Sequence, residues 1–121
     1  MLSFCRTNDV DVIHVRAVYS KERGSAWMPY FGELNPEKSS EFENTPEECA
    51  VELPGEPIVE KPTFDGFLQT NLHAILQERK YTQLLLAGLV TSACVLQTAQ
   101  GAFARGYRTV MVEDCCADRS V

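Results

Sequence analysis

The 121-residue sequence predicts an α/β fold built on a parallel sheet. Segments rich in β-branched or apolar residues alternate along the chain with segments of helical periodicity. One apolar run, Leu84–Ala87, is unbroken, as is typical of a strand covered on both faces. The connections in the second half are short, which favours right-handed crossovers between parallel neighbours.

The first two predicted strands lie at Val10–Val18 and Pro57–Glu60, and an amphipathic helix at Gly66–Lys80 follows them. The apolar stripe of that helix is formed by Leu68, Leu72, Ile75 and Leu76. His14, inside the first strand, is interpreted as a packed strand residue rather than a ligand. These elements predict two strands joined by a long connection, with a helix behind the second.

The third predicted strand, Tyr81–Ala87, ends at Gly88, and a helix then runs to Arg105. Either Thr91 or Ser92 is suited to cap this helix, and Gly106 to stop it. Its predicted buried face is formed by Val95, Ala99, Ala102 and Phe103. A last strand at Arg108–Glu113 leads into Asp114.

The connection over residues 19–56 is predicted to be a long acidic loop that covers the fold. Between Glu33 and Glu60 there are nine Glu and one Lys, a local charge of −8 against −6 for the whole chain. This charge argues against nucleic acid and anionic membranes as partners. Trp27 belongs to an apolar cluster in the loop, which either pins the loop down or walls a substrate pocket.

The five cysteines are an odd number with no CxxC pair, which argues against a disulfide framework and a zinc ribbon. No apolar run reaches membrane-spanning length, and the N-terminus lacks the pattern of a signal peptide. The sequence therefore predicts a cytoplasmic protein that needs no cofactor.

Cys94 is the candidate for chemistry, because it falls in the first turn of a predicted helix at the carboxyl edge of the sheet. Backbone N–H groups and the helix dipole favour a thiolate there, although a single cysteine is more often part of a core. Lys61 and Asp114 also follow strands and are expected at the same edge, with Lys61 and Cys94 on neighbouring strands. An ammonium group beside the thiol would stabilise its thiolate.

Two blocks of sequence resemble the isochorismatase-like cysteine hydrolases. The lysine motif of that family is matched by Lys61-Pro62-Thr63-Phe64-Asp65-Gly66-Phe67, with Thr70 and Leu72. Its nucleophile block is matched by Gly88-Leu89-Val90-Thr91-Ser92-Ala93-Cys94-Val95, with Thr98-Ala99, Ala102, Gly106-Tyr107 and Glu113-Asp114. The resemblance implies one Rossmann-like, three-layer α/β/α domain over residues 1–121.

The resemblance also implies an Asp–Lys–Cys triad with Cys94 as nucleophile and Lys61 as its supporting cation. The oxyanion hole would be formed by the N–H groups of Val90 and Cys94, with a cis peptide at Leu89–Val90. Weaker candidates for a substrate pocket are Trp27, Phe64, Phe67 and Thr91. Since Arg16–Ser20 lacks the Asp-x-His arrangement of metal-binding relatives, no metal is predicted.

One departure from the family pattern affects the triad. The family aspartate follows a central first strand, and residues 1–121 contain no such segment. We therefore expect an incomplete fold that lacks this strand and the C-terminal elements, and an activity that is severely reduced or absent. Asp65 and Asp114 are the nearest substitutes in sequence.

Several functions stay open at this point. The cysteine favours hydrolysis of a small amide or carbamoyl compound, and isochorismate-type cleavage of a vinyl ether is an alternative. A further alternative is a non-catalytic remnant that serves as an oligomer subunit or interaction module. The resemblance implies a homo-oligomer, because the family commonly forms dimers and tetramers.

Overall fold

The computed structural model describes residues 1–20, 41–43, 46 and 48–119. They divide into two compact units, 1–63 and 64–121, which are described separately. Helices and parallel strands occur in both units, which confirms the predicted α/β class. The longest helix in the described residues has nine residues, and none of these helices is long and apolar enough to span a membrane.

The first unit is a three-stranded sheet with order β2-β1-β3. Its elements are α1 (Leu2–Thr7), β1 (His14–Ser20), β2 (Glu41–Glu43), a 3₁₀ turn (Glu48–Ala50) and β3 (Ile58–Lys61). The β1–β3 pairing is parallel and runs from His14↔Ile58 to Ala17↔Lys61. The β1–β2 pairing is antiparallel and joins β2 to the end of β1, beginning at Val18↔Glu43. Part of the predicted loop over 19–56 is therefore strand.

Glu56 joins the elements of the first unit. Its carboxylate accepts hydrogen bonds from Arg6 (2.7 and 2.9 Å), from the Leu53 N–H (2.9 Å) and from His14 (2.7 Å). The Arg6 guanidinium is the main reason that the pKa of Glu56 lies far below its usual range. The interpretation of His14 as a packed strand residue is confirmed, since its side chain is 10% exposed and paired to Glu56.

The second unit contains a two-stranded parallel sheet and two α-helices. Its elements are α2 (Leu72–Glu78), β4 (Gln83–Leu89), a wide π-type turn (Thr91–Val95), α3 (Leu96–Ala104) and β5 (Arg108–Ala117). The register of β4 and β5 runs from Gln83↔Arg108 to Leu86↔Met111 and resumes at Gly88↔Cys116. The strand β5 therefore carries extra residues between Met111 and Cys116, and it continues past Asp114.

The start of α2 differs from the prediction of a helix beginning at Gly66. Side chains bind the backbone there instead, because Asp65 accepts the Phe67 N–H (2.8 Å) and Thr98 accepts the Gly66 N–H (2.9 Å). Such bonds compete with helix formation. Leu68 consequently leaves the predicted stripe and is 50% exposed.

The end of α3 confirms the predicted stop at Gly106, whose φ is +85°. The Gly106 N–H donates to the Phe103 carbonyl (2.9 Å), and the Tyr107 N–H donates to the Ala102 carbonyl (3.1 Å). The predicted buried face was partly wrong. Thr98 is buried with Ala102, while Phe103 is 79% exposed, because the segment bonded to Thr98 covers that side of the helix.

Candidate active site

The turn that carries Cys94 is the centre of the candidate site, and we call residues 90–95 the Cys94 turn. It follows β4 directly, after a cis peptide bond between Leu89 and Val90, where the resemblance places one. The Val90 carbonyl accepts the N–H groups of Ala93 (3.1 Å) and Val95 (3.2 Å). These two bonds fold the backbone around Cys94 before α3 begins.

The start of the turn is capped differently from the prediction. Neither Thr91 nor Ser92 occupies the capping position, which falls on Val90 in extended conformation. The Ser92 N–H donates instead to the carboxylate of Asp118, at 2.6 Å. Hydrogen bonds from the Ser92 side chain and from the N–H groups of Arg119 and Ser92 hold the pKa of Asp118 below its usual range.

Asp118 was missed by sequence reasoning. It follows β5, whose last pair is Leu89↔Ala117, so the strand delivers its carboxylate to the Cys94 turn. The local pattern predicted that β5 ends at Glu113. The position of Asp118 depends on the pairing of β5 with β4 that resumes after Met111, and that pairing has no local signal in the sequence.

Cys94 is half-buried and belongs to no disulfide. The exposure of Cys94 lies between that of Cys5, which is buried in the first unit, and that of Cys49, which is exposed. Cys94 lies in the π-type turn, two residues before the first residue of α3. The turn therefore presents a half-buried thiol at the start of a helix.

Lys61 is the last residue of β3, in the first unit, and only 4% of it is exposed. Its Nζ donates to the Thr63 carbonyl at 2.7 Å and to the Tyr19 hydroxyl at 3.3 Å. The same atom lies 5.6 Å from the centre of the Tyr19 ring. The protein thus pairs this buried cation with oxygen atoms and an aromatic ring, as a charge removed from water requires.

The two aspartates that the sequence offered as substitute bases lie elsewhere. The Asp65 carboxylate lies against Gly101, since a Cβ built on that glycine would be 2.6 Å from its Oδ1. Gly101 is seven residues past Cys94, or about 10 Å along a helix axis. Asp114 is exposed within the irregular part of β5 rather than at the end of the strand.

The pocket candidates differ in burial. Phe67 is 4% exposed, and its ring stacks on Tyr107 (6.0 Å between centroids) and beneath the Arg105 guanidinium (4.8 Å). It therefore packs within the second unit, and its role in a pocket stays a prediction. Phe64 and Thr91 are half-buried, and Trp27 lies outside the described residues.

No group of three or more His, Cys, Asp or Glu side chains among the described residues is arranged to hold a metal ion.

The chain is similar to known proteins in sequence and in fold. The family model described as Isochorismatase domain matches residues 1–121. An uncharacterized isochorismatase family protein, YaaI of Bacillus subtilis, is 26% identical over 90% of this chain and 67% of its own length. Ureidoacrylate amidohydrolase RutB of Cronobacter sakazakii is 36% identical over 51% of this chain and 27% of its own length.

A solved structure extends the match to the whole fold. N-carbamoylsarcosine amidase from Thermoplasma acidophilum superposes with a TM-score of 0.81 at 25% identity, over 99% of this chain and 67% of that protein. The chain thus spans between 27% and 67% of the length of these three proteins. With a family model that covers all of its residues, the chain belongs to the isochorismatase family and has that family's α/β fold.

Proposed function

We propose that this chain hydrolyses the C–N bond of a small amide or carbamoyl compound, with Cys94 as the nucleophile. The observation that carries the proposal is the Cys94 turn, which holds a half-buried thiol at the start of α3, directly after β4. Cysteine thiols at the start of a helix act as nucleophiles toward carbonyl carbon. The similarity to ureidoacrylate amidohydrolase and N-carbamoylsarcosine amidase supports amides as the substrate class.

The reaction has two halves. The Cys94 thiolate forms a C–S bond to the carbonyl carbon, and the resulting oxyanion accepts hydrogen bonds from backbone N–H groups, which the resemblance assigns to Val90 and Cys94. Each such donor typically contributes about 3 kcal/mol. The C–N bond then breaks, and the amine leaves with the thiol proton. Water adds to the thioester and the C–S bond breaks, which releases the acid and restores the thiol.

Lys61 is the second residue that we assign to this reaction. Its place in the lysine motif gives it the role of stabilising the thiolate. Lysine side chains are rarely buried, and a lysine that is only 4% exposed supports a role beyond solubility.

The test uses the 121-residue chain with primary amides, N-carbamoyl amino acids and a vinyl ether, and it follows ammonia release and the mass of the intact protein. We expect an acyl adduct on Cys94 with the amides, and loss of both signals in Cys94→Ser. The matched control is Cys49→Ser, which removes an exposed thiol. Lys61→Met should retain the fold and slow acylation.

Three results would overturn the proposal. Ammonia release that survives in Cys94→Ser would remove the nucleophile. Cleavage of the vinyl ether without cleavage of any amide would change the reaction class. A protein that folds cooperatively but forms no adduct with any compound would favour the non-catalytic alternative.

A further inference from the structure

The end of β5 lies beside the backbone that leads into the Cys94 turn. After the irregular segment, Cys116 pairs with Gly88 and Ala117 pairs with Leu89, the residue before the cis bond. Asp118 comes next, and its Oδ2 accepts the Ser92 N–H at 2.6 Å while its Oδ1 accepts the Arg119 N–H at 2.7 Å. The carboxylate therefore links the end of one strand to the turn that follows its neighbour.

Ser92 is the residue through which this carboxylate reaches Cys94, two positions later. The turn is folded by the bonds from Ala93 and Val95 to the Val90 carbonyl, and the Ser92 N–H precedes that pair. A carboxylate that accepts a first-turn N–H makes a short, charge-assisted hydrogen bond and is favoured by the helix dipole. The direction of the peptide units around Cys94 thus depends on this bond.

We propose that Asp118 is a positioning residue for Cys94, because its carboxylate holds the Ser92 N–H and so aligns the Cys94 thiol with the neighbouring backbone donors. The inference rests on the proposed function, since it takes Cys94 as the nucleophile. Asp118 touches the turn and not the reacting atoms. Its role is one of alignment, and it depends on the oxygen acceptor rather than on the negative charge.

Two neutral variants separate the acceptor from the charge. Asp118→Ala removes both, whereas Asp118→Asn removes the charge but keeps a carbonyl oxygen that can accept the Ser92 N–H. Asp114→Ala is the matched control, because it removes an exposed carboxylate from the same strand. Labelling of the buried Cys5 reports any variant that unfolds.

Two reagents separate alignment from thiol reactivity. Acylation of Cys94 by p-nitrophenyl acetate forms an oxyanion and needs aligned N–H donors, whereas alkylation by iodoacetamide does not. The ratio of the two rates cancels any change in the thiol pKa. We expect the ratio to fall about tenfold in Asp118→Ala, which corresponds to about 1.4 kcal/mol and is within the range for losing one ordinary hydrogen bond. It should stay near the wild-type value in Asp118→Asn and in Asp114→Ala.

An equal fall in the alanine and asparagine variants would overturn the inference, because charge and not the acceptor would then matter. An unchanged ratio in Asp118→Ala would overturn it as well. If wild-type Cys94 is not acylated at all, the proposed function fails separately. In that case the NMR chemical shift of the Cys94 amide tests the inference. The inference requires this resonance to move in Asp118→Ala and to stay in place in Asp118→Asn.

Discussion

Replacing Gly101 by Ala should destabilise the second unit, although the same change in an ordinary helix stabilises it by about 1 kcal/mol. The reason is the Asp65 carboxylate, whose Oδ1, Oδ2 and Cγ would lie 2.6, 3.0 and 3.1 Å from the new Cβ. A Cβ atom essentially never approaches another atom within 3.0 Å, so the carboxylate must move.

The cost follows from what the carboxylate holds. Asp65 accepts the Phe67 N–H at 2.8 Å, and Phe67 is one of the buried residues of this unit. Loss of a hydrogen bond to a charged group costs about 1.5–3 kcal/mol, and overpacking adds about 1–3 kcal/mol. After the gain in helix propensity is subtracted, the expected net loss is at least about 1.5 kcal/mol.

Urea unfolding followed by circular dichroism measures this loss. With a slope of about 1–3 kcal/mol per molar for small proteins, the midpoint should fall by about 1 M. The decisive comparison is a double-mutant cycle with Asp65→Ala, in which Gly101→Ala should become stabilising. If Gly101→Ala is stabilising in the wild-type background, or equally destabilising in both, the close approach of Asp65 is not the cause.

Three further outcomes are expected. Because the folded-state pKa of Glu56 is lowered, its contribution to stability is present above the ordinary glutamate pKa of about 4.3 and is lost as the pH falls below it. Acid unfolding curves of Glu56→Gln should therefore be flatter below pH ~4 than those of the wild type, and parallel curves would exclude the pairing with Arg6. Leu76→Ala, at a fully buried position, should cost about 2–5 kcal/mol in urea, whereas Phe103→Ser should stay within about 0.5 kcal/mol, and similar losses would contradict the assigned burial. Gly106→Ala should cost about 1 kcal/mol because φ is +85°, and a neutral or stabilising effect would show that the stop tolerates a side chain.

Features fixed by neighbours in sequence could be predicted. Gly106 ends α3 as expected, since the need for a left-handed residue after a helix is local. The parallel direction of the β1–β3 and β4–β5 pairs also followed from the order of elements. The cysteine and lysine motifs were visible for the same reason, because each is a short run of residues.

Features fixed by distant partners could not be predicted. Thr98 accepts the Gly66 N–H across 32 positions, and this bond helps to delay α2 until Leu72. Asp118 reaches the Ser92 N–H across 26 positions. Periodicity within a window contains no information about such pairs, so both the helix start and the contact to the Cys94 turn were missed.

The irregular segment of β5 has a consequence for chain length. A straight strand that continued from Leu86↔Met111 would place residue 114 opposite Leu89, whereas the structure places Ala117 there. The segment thus takes up three residues, about 10 Å of extended chain, and lets Asp118 arrive beside the turn. Deleting three residues between Met111 and Cys116 would straighten β5 and keep the register with β4 in both paired stretches. Deleting one or two residues would leave extra residues of β5 between these stretches. This part of the gene should therefore tolerate a nine-base deletion better than a three-base one.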